Sequence, residues 1–373
     1  MMRLASVIAS FETDFLAQYR ERLSAEQRHA LAALKQCRSQ ASLKMQVKCT
    51  ACEHHRLMPH SCGHRHCPHC QHHESQQWLE RQLKKQVPAE YFLLTFTLPA
   101  EFRALARMHQ KVVYELLMRC SWETVRTFSQ NDRQLRGTPG AIAVLHTNTR
   151  RLDYHPHVHL VMPAAAVDGE RRQWRTKRAK GKGKGKDEPK ASYLFNHKAL
   201  AKVFRAKLLA GIEAAGLTLP AHYPSQWVVD CKSVGSGEKA LIYLGRYLYR
   251  GVISEKDIVA CHDGQVSFRY RDAKSGKMEL RTVCGAQFLW LVLQHVLPKG
   301  FRRARNFGFL HPNCKRLIAL LHLLLKFVPN PLAGRKPRAP IPCPCCGAVM
   351  VIVKTRIKPL FAAGVFSPIA AQE

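Results

Sequence analysis

The sequence predicts an α+β protein, in which an antiparallel sheet with flanking helices is preceded by a cysteine-rich module and followed by a helical C-terminal part. Three observations carry this. "EYFLLTFTLP" (90–99) alternates Phe92, Leu94, Phe96 and Leu98 and stops at a proline, as a strand does. "GAIAVLHTNTR" (140–150) and "LDYHPHVHLVMPAAAV" (152–167) read as two strands joined by a short polar turn, which predicts a β-hairpin. Cys49, Cys52, Cys67 and Cys70 form C-x2-C-x14-C-x2-C in a stretch too polar to be a core.

The remaining elements follow in order. Phe11, Phe15, Tyr19 and Leu23 recur at steps of four, so residues 1–36 read as helical. Residues 37–75 are rich in Cys and His and weakly periodic, and a helix follows at about 74–86. Residues 100–130 read as one long helix, 196–215 as a helix, "SQWVVDCKSV" (225–234) as a strand and 237–252 as a helix. Residues 264–283 read as a hairpin turning at "AKSG", with helices at 285–297 and 314–328 and a Pro-rich tail from 329. "RRQWRTKRAKGKGKGKDEPK" (171–190) cannot bury a core, and is either a solvated spacer or a phosphate-contacting arm. The expected division is 1–87, a helical and metal-binding module; 88–283, the central α+β domain; and 284–373, a helical region with a candidate cysteine ribbon.

The 373 residues carry 59 Lys+Arg against 26 Asp+Glu, a net charge of +33, with a pI near 10.0. That excess predicts a polyanionic partner, nucleic acid above all. The first apolar run is short and interrupted by Glu12 and Asp14, so it does not read as a signal peptide. "LIALLHLLLKFV" (317–328) is too short to cross a bilayer and holds His322 and Lys326. The chain therefore reads as cytosolic, where its 14 cysteines favour zinc over disulfides.

Each C-x2-C pair can grip one side of a tetrahedral ion, so Cys49, Cys52, Cys67 and Cys70 are the expected zinc ligands. Four thiolates leave no open position, which makes the site structural. Cys37 and Cys62 stand nearby as spare ligands, as does His66, and a second zinc or a swapped ligand remains open. At the other end Cys343 and Cys346 form another pair, which His311 and Cys314 are candidates to complete.

The chemistry concentrates in "YHPHVHLVMP" (154–163). His155, His157 and His159 alternate, so they share one face of a strand. If the preceding strand is its neighbour, His146 lies beside His157 and His159. Three protein ligands leave coordination positions for water or substrate, a catalytic arrangement. Pro156 restricts His155 and removes a ladder donor, so His146 ranks above His155 as the third ligand. In "YLGRYLYR" (243–250), Tyr243 and Tyr247 lie one turn apart on one helix face. Taken singly they are ordinary half-buried tyrosines, but beside a metal a phenolic oxygen can serve as a nucleophile.

These motifs together resemble the HUH superfamily of single-strand endonucleases. In detail the chain resembles rolling-circle transposases of the IS91 family, through "SCGHRHCPHCQ" (61–71), "YFLLTFTLP", "LDYHPHVHLVMP", "ALIYLGRYLYRGVIS" (240–254) and "FRRARNFGFL" (301–310). The resemblance runs in order from about Cys37 to Leu310. It implies an HUH-type sheet, His157 and His159 as ligands of a catalytic divalent ion, and Tyr243 and Tyr247 as nucleophiles that form 5′-phosphotyrosine. By resemblance alone the ion is Mg2+ or Mn2+, although imidazoles favour zinc and other transition metals. The implied partner is DNA, as single-stranded or hairpin element ends. Two rivals stand: a plasmid replication initiator or relaxase of the same chemistry, and a non-enzymatic zinc-finger nucleic-acid binder.

Overall fold

The computed structural model describes residues 2–70, 72–177, 180–182, 191–249, 251–273, 275–330 and 340–359. Most of the Gly-Lys stretch at 178–190 lies outside them. The helices are α1 (Leu4–Tyr19), α2 (Ala25–Lys35), α3 (His72–Leu83), α4 (Arg103–Met108), α5 (Gln110–Asn131), α6 (His197–Ala214), α7 (Glu238–Tyr249), α8 (Gly285–Leu293) and α9 (Lys315–Leu324). The first seven strands are β1 (Lys44–Cys49), β2 (His55–Pro59), β3 (Tyr91–Thr97), β4 (Thr138–Asn148), β5 (Tyr154–Pro163), β6 (Ala165–Asp168) and β7 (Gln173–Thr176). There follow β8 (Lys180–Lys182), β9 (Ala191–Tyr193), β10 (Val229–Ser233), β11 (Ile258–His262), β12 (Gln265–Arg271), β13 (Met278–Cys284), β14 (Ala304–Gly308), β15 (Ile341–Pro342) and β16 (Val349–Ile357).

The central sheet runs β10-β3-β5-β4-β6-β7, with β14 also paired to β4, and its ladders are antiparallel. Its two faces follow from alternation along the strands. On one face Phe92, Leu94, Phe96, Val158 and Leu160 pack with Tyr114 and Leu117 of α5 and Phe204 and Leu208 of α6. On the other, Tyr91, Leu93, Ile142, Val144 and Val161 pack with Trp78 of α3, Leu241, Leu244 and Leu248 of α7, and Ile318 of α9. Further along this second face the apolar rows give way to Thr95, His146, His157 and His159.

A second core joins α1, α2 and α8 to the β11-β12-β13 sheet through Phe11, Phe15, Leu31, Phe268 and Phe288. The α1–α2 break is a capping box: Ser24 Oγ accepts from Gln27 N while Gln27 Oε1 accepts from Ser24 N. The β4–β5 turn is fastened to this core. Leu152 is buried with φ of 68°, an unusual backbone for a leucine. Its carbonyl accepts hydrogen bonds from Gln294 Nε2 and His295 Nε2, both 3.0 Å, and Asp153 Oδ1 meets Arg281 Nη1 at 2.9 Å.

Three expectations change. The C-terminal part is not only helical: β14 joins the central sheet, and β15 and β16 close a small sheet ordered β15-β16-β1-β2. The contacts therefore cross the expected boundaries at 87 and 283, because the last strands pair with one of the first. The long helix expected at 100–130 is two helices, α4 and α5, separated at His109, whose φ −121° and ψ 45° are not helical.

α8 meets α1 at Gly285, where an added Cβ would stand 2.2 Å from Phe11 Cγ. Gly285→Ala is expected to lower unfolding stability by roughly 1–3 kcal/mol through overpacking, read as a lower urea midpoint with an unchanged m-value.

Candidate functional site

Among the described residues three groups of ligating side chains converge, each with its ligand atoms within 4.8 Å of one another: Cys37, Cys62, Cys67 and Cys70; Cys49, Cys52, Cys343 and Cys346; and His146, His157 and His159.

The histidine group is built by strand register. His146 of β4 stands directly opposite His157 of β5, and Val144 opposite His159. Opposite side chains on one face of an antiparallel pair lie within about 5.5 Å at Cβ, close enough for two imidazoles to share one ion. The ring centroids of His146 are 5.2 Å from His157 and 4.4 Å from His159, and His157 and His159 are 4.9 Å apart. His146 is only 1% exposed, and the other two are half-buried.

His155 is not in the group. The ladder is irregular between His146 and Asn148: two steps along β4 face three along β5, which places a bulge at His155–Pro156. The strand continues through the proline rather than starting after it, and His155 Nδ1 meets Arg103 Nη2 at 3.0 Å.

Neighbours orient the imidazole rings. His157 Nδ1 donates to the His155 carbonyl at 2.7 Å, which leaves Nε2 with its lone pair free for a ligand. His159 Nδ1 is 3.0 Å from Thr95 Oγ1, a contact that β3 delivers by pairing Thr95 opposite His159. Sequence reasoning missed Thr95, although its place in the β3 alternation carried the signal. Burial pushes the pKa of His157 down to about 4 and that of His159 down to about 3. Burial first, then His159, His157 and Arg303, pushes His146 well below the usual histidine range. All three are therefore neutral at pH 7, the state that binds metals.

α7 crosses this face of the sheet. Tyr243 is 49% exposed, and its ring centroid lies 6.3 Å from that of His146 and 6.2 Å from that of His159. Partial burial raises its pKa, opposed by Arg150, so the group is a phenol at rest. Tyr247 occupies the next turn of α7, but its side chain lies outside the described residues. α7 is held from behind by α3, where Ser75 Oγ donates to the Gly245 carbonyl at 2.7 Å.

The cysteines correct the expected zinc site. Cys49 and Cys52 do not meet Cys67 and Cys70. β1 and β2 carry Cys49 and Cys52 to the hairpin tip, where β16, paired with β1, brings Cys343 and Cys346. Their sulfurs lie 3.5 Å (Cys49–Cys346) and 3.7 Å (Cys52–Cys343) apart. Cys67 and Cys70 instead meet Cys37, at 3.5 and 3.6 Å, together with Cys62. A tetrahedron with Zn–S of about 2.3 Å needs sulfurs about 3.8 Å apart, so both clusters fit Zn2+. His311 and Cys314 join neither: His311 Nδ1 caps Asn313 N at 3.3 Å, and Cys314 Sγ faces the Gly308 carbonyl. His66 is no ligand either, since its Nε2 accepts from Leu297 N at 3.2 Å. The cysteine loop abuts Gly251, just beyond the tyrosine helix: a Cβ there would lie 2.9 Å from the His66 carbonyl oxygen.

With this geometry in place, the comparisons are consistent. Residues 140–317, which include the histidine hairpin and the tyrosine helix and reach into α9, match the family described as "Putative transposase", and residues 7–98 match "Transposase zinc-binding domain". A "Putative transposase" of Sinorhizobium fredii is 31% identical over 360 residues, covering 90% of this chain and 87% of that protein. The chain belongs to the IS91 family of transposases. The transposase for insertion sequence element IS801 of Pseudomonas savastanoi pv. phaseolicola is 28% identical over 334 residues, covering 81% of this chain and 76% of that protein. No described helix is long and apolar enough to cross a membrane.

Two separate clusters predict two zinc ions per chain of this IS91-family transposase, read by elemental analysis of the purified protein. Replacing Cys49 and Cys52 with Ser, or Cys343 and Cys346 with Ser, should each remove the same single zinc. Combining the two changes should remove no more, whereas Cys37→Ser with Cys62→Ser should remove the other.

Proposed function

We propose that the chain nicks and rejoins single-stranded DNA at the ends of an insertion sequence by tyrosine transesterification. The observation that carries this reading is the convergence of three neutral histidines from β4 and β5 beneath the helix that bears Tyr243. A divalent ion held by His146, His157 and His159, Mg2+ or Mn2+ by resemblance, would polarise the oxygens of the scissile phosphate.

The chain's own groups do the rest. The phenolic oxygen of Tyr243 attacks the phosphorus, the bond to the 3′-oxygen breaks, and the 5′ end remains as a phosphotyrosine ester. The phenolic proton is released, and the departing 3′-oxygen takes one up. Bond energy is roughly conserved, so no nucleotide hydrolysis is needed. Tyr247, one turn along α7, serves as the second nucleophile, so a second strand can be cut before the first end is released. Thr95 and the His155 carbonyl hold the imidazole rings in place, and the bulge at His155–Pro156 keeps His155 out of the coordination sphere. The transposase relatives favour an insertion sequence over a plasmid initiator or relaxase of the same chemistry.

The test is the detergent-resistant covalent adduct formed on labelled single strands that tile the DNA flanking the gene. Tyr243→Phe with Tyr247→Phe should remove adduct and nicking by at least on the order of 10³-fold while binding holds, and EDTA should do the same reversibly. If the wild-type chain forms no metal-dependent adduct on any strand, the zinc-module nucleic-acid binder becomes the better reading.

A further inference from the structure

A cleft of about 980 Å³ opens between α3, β14 and α9, apart from the histidine group. Its floor is apolar, with Trp78 and Ile318, and its walls are cationic, with Arg81, Lys85, Arg302 and Lys315. No carboxylate lines it among the described residues. Two further cations on its walls are already matched: Lys84 pairs with Glu80 at 3.0 Å, and Arg305 forks onto Glu115 with both contacts at 2.6 Å. Among the described residues the other four have no such acid. Among the described residues the Lys85 ammonium meets a backbone carbonyl, that of Leu310 at 3.2 Å. Burial, and then the charges of Lys315 and Arg81, lower its pKa. Cations crowded round a concavity repel one another, and a polyanion relieves that repulsion.

Both walls are tied to the elements that carry the site. β14 pairs with β4, with Ala304 opposite Val144, two residues from His146. At the same end Arg303 Nε donates to the Leu145 carbonyl at 2.9 Å. On the other wall α3 holds α7 through the Ser75–Gly245 bond, and Trp78 shares a core with Leu241 and Leu244. A strand lying in the cleft therefore touches the strand paired with β4, which bears His146, and the helix that braces α7, which bears Tyr243.

We infer that this cleft is a binding channel for a few nucleotides of single-stranded DNA next to the scissile phosphate, gripped through its phosphates by Arg81, Lys85, Arg302 and Lys315. A concavity of this size holds one strand against an apolar floor and is too small for a duplex. The inference rests on the reading of the histidine–tyrosine site as one that acts on single strands.

The test compares two triple variants of the full-length protein for binding a labelled oligothymidine, read by fluorescence anisotropy across a salt series. Arg81→Gln with Arg302→Gln and Lys315→Gln strips the cleft at exposed positions. Lys111→Gln with Arg126→Gln and Lys202→Gln removes the same charge from exposed positions on α5 and α6. The cleft variant should bind at least tenfold more weakly, with a salt slope lower by about 2, as expected for three lost phosphate contacts on a single strand. The control should stay within about twofold, and matching thermal melts establish that both are folded. Equal losses in the two variants, wild-type binding by the cleft variant, or a cleft-dependent preference for duplex of the same length would each overturn the channel. Binding needs no cleavage, so a wild-type chain that forms no adduct would remove the transesterification reading and leave this result readable on its own.

Discussion

The register of β4 against β5 is the constraint on which the site depends. Alternation gives each strand one face in the α5–α6 core and one toward α7. With His146 opposite His157, the three imidazoles share the α7 side. A slip of one residue would turn Val158 and Leu160 out and drive His157 and His159 into the core. Each buried imidazole left unsatisfied would cost about 1–3 kcal/mol. The register is fixed from both ends: Val158 and Leu160 are fully buried in the main core, and the unusual Leu152 turn is fastened by Gln294 and His295, which directly follow α8. A strained turn persists where its surroundings over-determine it.

The zinc clusters fit the same logic of fixed supports. One cluster fastens Cys37, just after α2, to the loop at 62–70, and that loop touches the backbone just beyond the tyrosine helix. The other closes a sheet whose strands lie at opposite ends of the chain, with Cys49 and Cys346 separated by 297 positions. Closing so long a loop is entropically expensive. Strand pairing between β1 and β16 offsets part of that cost, and four metal–sulfur bonds would offset more with Zn2+ held by these cysteines, which suits a sheet with a core as small as Val47, Cys49, Cys343 and Met350.

Much of this was legible in the sequence because it is local. Alternation in "YFLLTFTLP" marks one strand, and the short polar turn between "GAIAVLHTNTR" and "LDYHPHVHLVMPAAAV" marks two more and their pairing. From those, His146 was placed beside His157 and His159, and the proline set His155 apart. What stayed hidden was long-range. C-x2-C spacing says that two cysteines share an ion but not which other pair completes it, so Cys49 and Cys52 were matched with their sequence neighbours Cys67 and Cys70. The correct partners depend on β16, and "VMVIVKTRI", although β-prone, follows a Pro-rich stretch and gives no hint of its distant partner. β14 was missed because "ARNFG" is short and has no apolar alternation; pairing with β4, not its own pattern, makes it a strand. The cleft was equally invisible, since Arg81, Lys85, Arg302 and Lys315 come from three separate segments.

Strand register brings His146, His157 and His159 close enough to share one ion. Pulsed electron paramagnetic resonance of the Mn2+-loaded protein reads it most directly, because each bound imidazole nitrogen modulates the spin echo. Coupling to three imidazole nitrogens is expected, reduced to two by His146→Ala and unchanged by His155→Ala. Absence of nitrogen coupling, or a spectrum that depends on His155 and not on His146, would contradict it.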